Sequence, residues 1–342
     1  FGVVSQSPAS ATVIAMTSPT PQQLAQAGSL EQLYGYLGEI RIGAGWAKKT
    51  PSLWAEPKKT FEPYRWSYAQ AKGALDAAGR LINTELAERR NLVMHNPAGD
   101  YATSRTIVAA YQMIMPGEKA RSHRHTPNAL RLVLDAEHGA YTIVNGERLS
   151  MMPGDVVLTP NWCWHGHGND SRACAYWLDV LDVPLVQLLD PMFFEPHPDE
   201  FEKETVANAS SKELQMHFPW ADSERRLAEA ASRGNGKPVE IALGGQEKSA
   251  LDTMALSMLQ LKAGQATAPR KVMANNVLGV VRGAGSTDVE GKTLTWSRGD
   301  VIVVPSWQEY THRSDGGAVL FRVTDEPVMR KLGFLREGNG AR

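Results

Sequence analysis

The spacing of apolar residues changes along the chain and separates helical regions from β-rich ones. From about residue 20 to 90 the spacing is helical, and an N-cap residue followed by Gln three positions later marks helix starts at Thr20, Ser29 and Ser67. A charged helical stretch occupies about 198–232, and a β-rich pattern runs from about 253 to 325. Short β-rich runs separated by Gly, Asn and Pro lie at 106–115, 130–134, 140–144, 155–158 and 173–180. Strands at this close spacing predict a β-barrel or a sandwich.

The second β-rich region repeats the first. Thr159-Pro160-Asn161-Trp162 aligns with Val304-Pro305-Ser306-Trp307. The matching segments are 115–118 with 262–265, 145–146 with 290–291, 154–155 with 299–300, and 159–167 with 304–312. We therefore predict two copies of one β-barrel module in the chain.

The composition indicates which kinds of molecule the protein is expected to bind. Among 342 residues, 36 Lys and Arg nearly balance 37 Asp and Glu, and no long run of one sign predicts a nucleic-acid or membrane surface. Residues 9–16 lack the charge and length of a signal peptide, and the two cysteines do not form a disulfide framework. We expect a cytoplasmic protein with a small-molecule partner. The segment 50–66, rich in Pro and Trp, predicts a structural arm or an oligomer contact.

Four of the nine histidines form two His-x-His pairs, His123/His125 and His165/His167, both in the first copy. Residues i and i+2 of a strand project to the same face, so both members of a pair can offer nitrogens to one metal inside the barrel. One pair alone is equally compatible with a surface or packing role. Two pairs in one short β module predict a metal site.

The repeat supplies an internal control for this prediction. Opposite His123, His125 and His165 the second copy carries Arg270, Val272 and Tyr310, which do not form a ligand set. Only the first barrel is therefore expected to bind metal. His167 is matched by a histidine, His312, so that position is expected to serve another purpose than ligation. We assign His165 as the third ligand and His167 to the surroundings of the metal or to the substrate.

The stretch from Glu88 to Phe194 resembles the bicupin ring-cleaving dioxygenases that act on gentisate, salicylate and 1-hydroxy-2-naphthoate. The motifs that carry the resemblance are Ala87-Glu88-Arg89-Arg90, Met115-Pro116-Gly117-Glu118, Arg121-Ser122-His123-Arg124-His125-Thr126, Ala129-Leu130-Arg131, Gly154-Asp155, and Thr159-Pro160 through Trp164-His165-Gly166-His167-Gly168-Asn169. The resemblance continues into the second copy. It implies an all-β bicupin fold, with two double-stranded β-helix (jelly-roll) barrels and a helical N-terminal arm.

The resemblance also implies a cofactor. Enzymes of this family hold Fe(II) with three histidines, which match His123, His125 and His165, and lack the glutamate that many cupins place a few residues later. We therefore expect one Fe(II) per chain and O2 as co-substrate. Three neutral imidazoles leave the metal its full +2 charge and several open positions, so an anionic chelate with a carboxylate ortho to a hydroxyl is the expected ligand. Ring cleavage is expected between the carboxyl-bearing and hydroxyl-bearing carbons.

Three residues are the main candidates for substrate contact. Arg131 lies where the family has a carboxylate-binding arginine, and is expected to grip the substrate carboxylate bidentately; the alternative is an ion pair with a surface acid. Gln112 matches a family residue that hydrogen-bonds substrate, with a partly exposed strand position as the alternative. His167 is expected to donate to the substrate hydroxyl or to a reacting oxygen.

Further positions complete the predicted substrate pocket. Arg89 or Arg90 is expected to add a positive charge near the carboxylate, unless it forms a structural ion pair. Trp162 and Trp164 are expected to pack on the barrel wall, with a place in the ring pocket as the alternative. The gentisate enzymes carry an aspartate where this chain has Gly166. We expect the glycine to open space beside the ring, which favours a salicylate with a halogen or nitro group, or a two-ring hydroxy acid.

The predicted organisation is a helical N-terminal arm (1–95), a metal-binding catalytic cupin (96–195), a helical linker (196–250) and a degenerate second cupin without metal (251–342). The resemblance implies a homo-oligomer, a tetramer in the family. Two other functions stay open. One is a non-redox bicupin that binds a small acid or sugar, and the other is a metal-dependent isomerase or decarboxylase.

Overall fold

Short helices begin the described part of the chain. The computed structural model describes residues 18–47, 53–83, 87, 89–99, 101–205, 215–244 and 249–338, so 9–16 and the predicted positions Thr50, Pro51 and Glu88 lie outside it. Residues 1–57 form one compact unit, with helices α1 (Pro21–Ala25) and α2 (Leu30–Glu39) and a 3₁₀ turn (Gly45–Ala47). The predicted caps are confirmed, because the Thr20 and Ser29 side chains accept the N–H groups of Gln23 and Gln32.

The second unit, residues 58–342, contains both β-rich regions. It opens with β1 (Tyr64–Trp66) and α3 (Tyr68–Leu81). The first barrel and its neighbours comprise β2 (Arg90–Val93), β3 (Val108–Ile114), β4 (Lys119–His125), β5 (Ala129–Asp135), β6 (Ala140–Val144), β7 (Glu147–Ser150), β8 (Val156–Thr159), β9 (His165–Asn169), β10 (Ala175–Leu181), α4 (Val183–Leu189), β11 (Phe194–Pro196) and β12 (His217–Phe218). The remaining elements are α5 (Trp220–Arg233), β13 (Val239–Leu243), β14 (Ala255–Leu261), β15 (Gln265–Ala266), β16 (Asn276–Val289), β17 (Lys292–Ser297), β18 (Val301–Val304), β19 (Tyr310–Ser314), β20 (Ala318–Thr324) and α6 (Glu326–Lys331).

The first barrel is made of two antiparallel sheets. One has the order β12-β8-β5-β10-β3-β2 and the other β11-β4-β9-β6-β7. The second barrel is a nine-stranded arrangement along β1-β18-β16-β20-β14-β13, with β15, β17 and β19 attached. Strand β1, near the start of the unit, therefore belongs to the sheet of the second barrel, and β2 belongs to that of the first. The sequence-based division at residue 95 separates both strands from the sheets they join.

The two barrels share one hydrophobic core. Leu132 and Leu178 of the first barrel belong to the same buried cluster as Val277 and Phe321 of the second. A Cβ atom at Gly279 would lie only 2.9 Å from Leu132 Cδ2, so the two sheets pack at close range. Strand β3 is buried along its whole length, because one face lines the first barrel and the other contributes to the shared core.

The predicted repeat is visible in the backbone. The hairpins at Asn145-Gly146 and Glu290-Gly291 both use two residues with positive φ, as a tight I′ turn requires. Trp162 and Trp307 have φ of 60° and 62° at matching turns. The mostly β fold with two cupin barrels and N-terminal helices is thus confirmed. Within the described ranges, the helices are all too short or too polar to span a bilayer.

Candidate metal centre

Three histidines from two neighbouring strands converge inside the first barrel. His123 and His125 come from β4, and His165 comes from β9, where it pairs directly with His123. One ring nitrogen from each lies within 4.8 Å of the corresponding nitrogens of the other two. Among the described residues this is the one cluster of His, Cys, Asp or Glu side chains with such geometry. The predicted ligand set is therefore brought together.

A β-bulge in β4 determines the direction in which the His123 side chain points. Ala120 pairs with His167 and His123 pairs with His165, so two residues of β4, Arg121 and Ser122, lie opposite the single residue between the two histidines of β9. The additional residue changes the phase of side-chain alternation, as bulges do. Both Ala120 and His123 can then face the barrel interior although they are three positions apart.

Backbone carbonyls fix the tautomer of all three rings. The Nδ1–H groups of His123, His125 and His165 donate to the carbonyls of Arg121 (3.3 Å), Pro127 (2.8 Å) and Cys163 (3.1 Å). With a proton on Nδ1, each neutral ring presents the lone pair of Nε2. This is the usual arrangement of metal-bound histidines, whose other nitrogen is hydrogen-bonded outside the coordination shell.

Burial keeps these rings neutral. It lowers the pKa of His123 to about 3 and that of His125 to about 4, and holds the pKa of His165 well below its usual value. The positive charge of Arg89 adds to the effect on His123. Metal binding requires unprotonated imidazole, so a divalent metal ion meets no competing proton here at neutral pH. The three donors therefore fit a metal ion.

Arg131 lies close to the histidines in a fully buried position, with 1% of its surface exposed. Its guanidinium donates to Thr159 Oγ1 at 2.6 Å, and its Nε lies 3.3 Å from Asp179 Oδ1. Burial raises the pKa of Asp179, although the charge of Arg131 opposes this shift. The partner of Arg131 is thus a buried acid and not a surface one.

Gln112 is buried on β3 and holds a second arginine beside the site. Its Oε1 accepts a hydrogen bond of 2.7 Å from Nε of Arg89. The Arg89 charge lowers the pKa of His123, His125 and His167, which places it near all three rings. The alternative of a partly exposed position for Gln112 is excluded by its burial.

Arg90 points elsewhere. Its guanidinium pairs with Glu118 and donates to the carbonyl of Ile82 at 2.6 Å. Arg89, immediately before β2, instead bonds Gln112, so the two adjacent side chains lie in different surroundings. The structure brings Arg89 to the cluster, and Arg90 forms the structural ion pair that was the alternative.

His167 lies beside the three ligands with one nitrogen held and the other unpartnered. Its Nδ1 is 2.9 Å from Thr142 Oγ1, whereas its buried Nε2 has no hydrogen-bond partner. Its ring centre is 6.0 Å from that of His165. Burial holds its pKa well below the usual range. A buried polar atom without a partner is costly, so Nε2 is a position where a bound ligand would find a hydrogen-bonding group.

The two tryptophans and Gly166 do not reach the cluster. Trp162 is 38% exposed, and the Arg124 guanidinium lies over both its ring and that of Trp164, at 4.5 and 4.4 Å from the ring centres. A Cβ atom at Gly166 would lie 2.5 Å from Ser122 Oγ, on the outer face of the sheet. The expectation that Gly166 opens space beside the substrate ring disagrees with this geometry, because the flanking histidines take the inner face.

Asp179 is a site residue that the sequence reasoning missed. It faces Arg131 across the β5–β10 pairing. It is the one charged residue in the strand Ala175–Leu181, and a lone carboxylate in a buried strand is a signal that a partner of opposite charge lies nearby.

Comparisons with known proteins agree with this geometry. Residues 110–181 match the family described as "Cupin domain". The chain is 34% identical to a 5-aminosalicylate 1,2-dioxygenase of a Comamonas species, over 90% of each chain. It is also 34% identical to a gentisate 1,2-dioxygenase of Aquipseudomonas alcaligenes, over 90% of this chain and 95% of the other.

A solved structure gives the same result for the fold. The salicylate 1,2-dioxygenase from Pseudaminobacter salicylatoxidans superposes with a TM-score of 0.83 at 29% identity, covering 91% of this chain and 97% of that one. The resemblance inferred from the motifs is confirmed over most of the length. The chain therefore belongs to the cupin family of ring-cleaving 1,2-dioxygenases that includes the gentisate and salicylate 1,2-dioxygenases.

Proposed function

We propose that the chain holds Fe(II) through His123, His125 and His165. With O2 it would cleave the ring of a salicylate-like or gentisate-like acid between the carboxyl-bearing and hydroxyl-bearing carbons. The observation that carries the proposal is a neutral three-histidine centre flanked by two arginines, the partly buried Arg89 and the buried Arg131. When bound, Fe(II) supplies the Lewis-acid and redox chemistry that O2 activation requires.

Arg131 binds and orients the substrate carboxylate. Thr159 and Asp179 fix its guanidinium before substrate arrives, so little side-chain freedom is lost on binding. Asp179 balances one positive charge before the substrate binds. Arg89 donates to the neutral side chain of Gln112, so its positive charge favours an anionic substrate over a neutral one.

His167 meets the reacting part of the substrate through Nε2. The ring is neutral, and Thr142 fixes its orientation from the Nδ1 side. A hydroxyl group can donate to Nε2 or accept from it, so a ring hydroxyl satisfies this buried atom in either tautomer. His167 is thereby placed to hold the phenolic proton next to the three ligands.

The expected substrate is a 5-substituted salicylate. The relatives named for 5-aminosalicylate and for gentisate act on 2-hydroxybenzoates that carry a group at carbon 5. Because Gly166 faces away from the histidines, its presence no longer argues against gentisate. A halogen or nitro group at carbon 5 remains in the proposal, as does a two-ring hydroxy acid.

The test is anaerobic purification, metal analysis, and O2 uptake with salicylate, gentisate, 5-amino-, 5-chloro- and 5-nitrosalicylate and 1-hydroxy-2-naphthoate. We expect iron at one per chain and uptake of one O2 per ring opened with at least one 5-substituted acid. CO2 release without O2 uptake would indicate a decarboxylase. Tightly held zinc with no O2 uptake from any of these acids would contradict the proposal and favour a non-redox bicupin.

A further inference from the structure

A strap of chain, residues 194–205, crosses the outside of the sheet that carries the metal ligands. It begins with β11, in which Phe194 pairs with His125 and Pro196 pairs with His123. The Phe194 ring lies 5.1 Å from the His123 ring. Strand β4 is thus held on one side by β9, which supplies His165, and on the other by the strap.

Ser122 anchors the strap. Its N–H donates to the Glu200 carbonyl and its carbonyl accepts from the His197 N–H, both at 2.9 Å. Its Oγ accepts from the Glu202 N–H at 2.8 Å. Three hydrogen bonds therefore join the strap to the residue immediately before a metal ligand. At its far end, the Thr205 N–H donates to the Gly146 carbonyl at 3.0 Å.

Two glycines leave room for this arrangement. A Cβ at Gly166 would lie 2.5 Å from Ser122 Oγ, and a Cβ at Gly146 would collide with the Thr205 side chain. Rotating the Ser122 hydroxyl away from a new Cβ would take it off the Glu202 N–H. A side chain at position 166 therefore acts on the strap through Ser122, on the face of the sheet opposite the metal ligands.

The second barrel, whose described residues form no histidine cluster, differs at the positions of Ser122, Gly146 and Gly166. By the repeat, Thr311 stands in place of Gly166 and Pro269 in place of Ser122. A Cβ at Gly291, which corresponds to Gly146, would meet nothing within 4 Å. The segment corresponding to His123–His125 forms isolated bridges rather than a strand, from Arg270 to Tyr310 and from Val272 to Glu337. The counterpart of β4 is the two-residue strand β15. Among the described residues, both barrels thus have a segment paired along this strand, whereas the Ser122 hydroxyl contact and the close approach at Gly146 belong to the first barrel.

We propose that the strap is a working part of the metal centre and that Ser122 is a positioning residue. Without the strap, β4 would be an edge strand, and unpaired edges open locally at low free-energy cost. The strap keeps the backbone of β4 at a fixed distance from β9, so His123 and His125 retain their spacing from His165. Gly166 is required because it leaves the Ser122 hydroxyl free to bind the strap. The proposal rests on the metal site of the proposed function.

The test is a double-mutant cycle on the full chain. Ser122→Ala, Gly166→Ala and the double variant are stripped of metal, and Fe(II) affinity is measured anaerobically against a competing chelator. Each single change removes one hydrogen bond from the strap, and is expected to weaken Fe(II) binding roughly fivefold. The double variant should bind as Ser122→Ala does, because no Oγ remains for the new Cβ to displace.

Hydrogen exchange and a matched control complete the experiment. Amide exchange in residues 119–125 and 197–205 should accelerate in both single variants. Thr311→Ala, at the matching position of the second barrel, should leave Fe(II) affinity unchanged.

Three outcomes would overturn parts of this account. Native Fe(II) affinity in Ser122→Ala and Gly166→Ala, with a lower melting temperature alone, would reduce the strap to a stabilising element and refute the proposal. Additive losses in the double variant would show that Gly166 does not act through Ser122. A native chain that bound no Fe(II), measured alongside, would instead refute the proposed function.

Discussion

The two barrels share a framework that has nothing to do with metal. Thr142 bonds His167 in the first barrel at 2.9 Å, and Thr287 bonds His312 in the second at 2.8 Å. The turn tryptophan lies over a cation in both, Arg124 in one and Lys271 in the other. A Thr–His pair at this position is therefore a property of the fold, and by itself does not mark a catalytic residue.

The interiors differ where the ligands are. In place of the histidines, the second barrel carries an ionic cluster centred on the buried Arg322, which bonds Glu240 at 2.9 Å and also pairs with Glu326. Arg270, at the position of His123, pairs with Glu326 at 2.7 Å. Tyr310 occupies the position of His165 and lies close to these charges. The arginines of the second barrel are thus paired with acids, whereas in the first barrel Arg131 is paired with Asp179 and Arg89 is held by a neutral side chain near three neutral rings.

Substitution of a metal-ligand histidine is expected to have the largest effect on the difference between the barrels. His165→Ala should weaken Fe(II) binding by at least about a hundredfold and abolish O2 uptake, because two nitrogens from one strand cannot replace the third donor. Tyr310→Phe, at the matching position, should change neither. Metal analysis after dialysis measures both variants, and iron retained in His165→Ala would show that the ligand assignment is wrong.

The second-largest effect is expected when a residue of the first barrel is replaced by its counterpart in the second. Arg131→Leu introduces the residue found at the matching position, Leu278. We expect iron to remain while kcat/KM falls about a hundredfold, mainly through KM, since a charged hydrogen-bonding partner of the carboxylate is lost. Steady-state O2 uptake measures this, with Leu278→Met as the control. An unchanged KM would remove Arg131 from the substrate site.

The smallest effect is on stability in acid. Burial lowers the pKa of His312 to about 4 from its usual 6.5. The unfolded chain therefore takes up this proton first as the pH falls, and stability is lost from pH 6.5 down to about 4. Between pH 7 and 5, His312→Gln should lose roughly 2 kcal/mol less stability than the native chain. Urea unfolding of the metal-free chain measures the difference, and equal losses would contradict the assignment.

The site residues could be predicted from the sequence where a single structural rule was sufficient. Alternation along a strand placed His123 and His125 on one face, and the degenerate repeat separated the third ligand from His167. The same alternation points Gly166 away from its two histidine neighbours, although the comparison with gentisate enzymes suggested a place in the pocket. The comparison of residue types suggested a role for Gly166 in the pocket, whereas side-chain alternation in β9 determines which face of the sheet it occupies.

Other features depended on register, which spacing does not give. Arg89 and Arg90 are adjacent, and only the hydrogen bond to Gln112 in the folded chain shows which of them lies beside the site. The bulge before His123 is equally invisible, because it exists only against β9. Asp179 could have been found from its isolation in an apolar strand, but its partner Arg131 lies 48 positions away and meets it through the sheet.

The close packing at Gly279 makes each barrel depend on the other. Because each barrel covers apolar surface of the other, neither can be removed without exposing that surface. An excised catalytic barrel would present Leu132 and Leu178 to water and be prone to aggregate. We therefore expect the first barrel to depend on the second for its solubility.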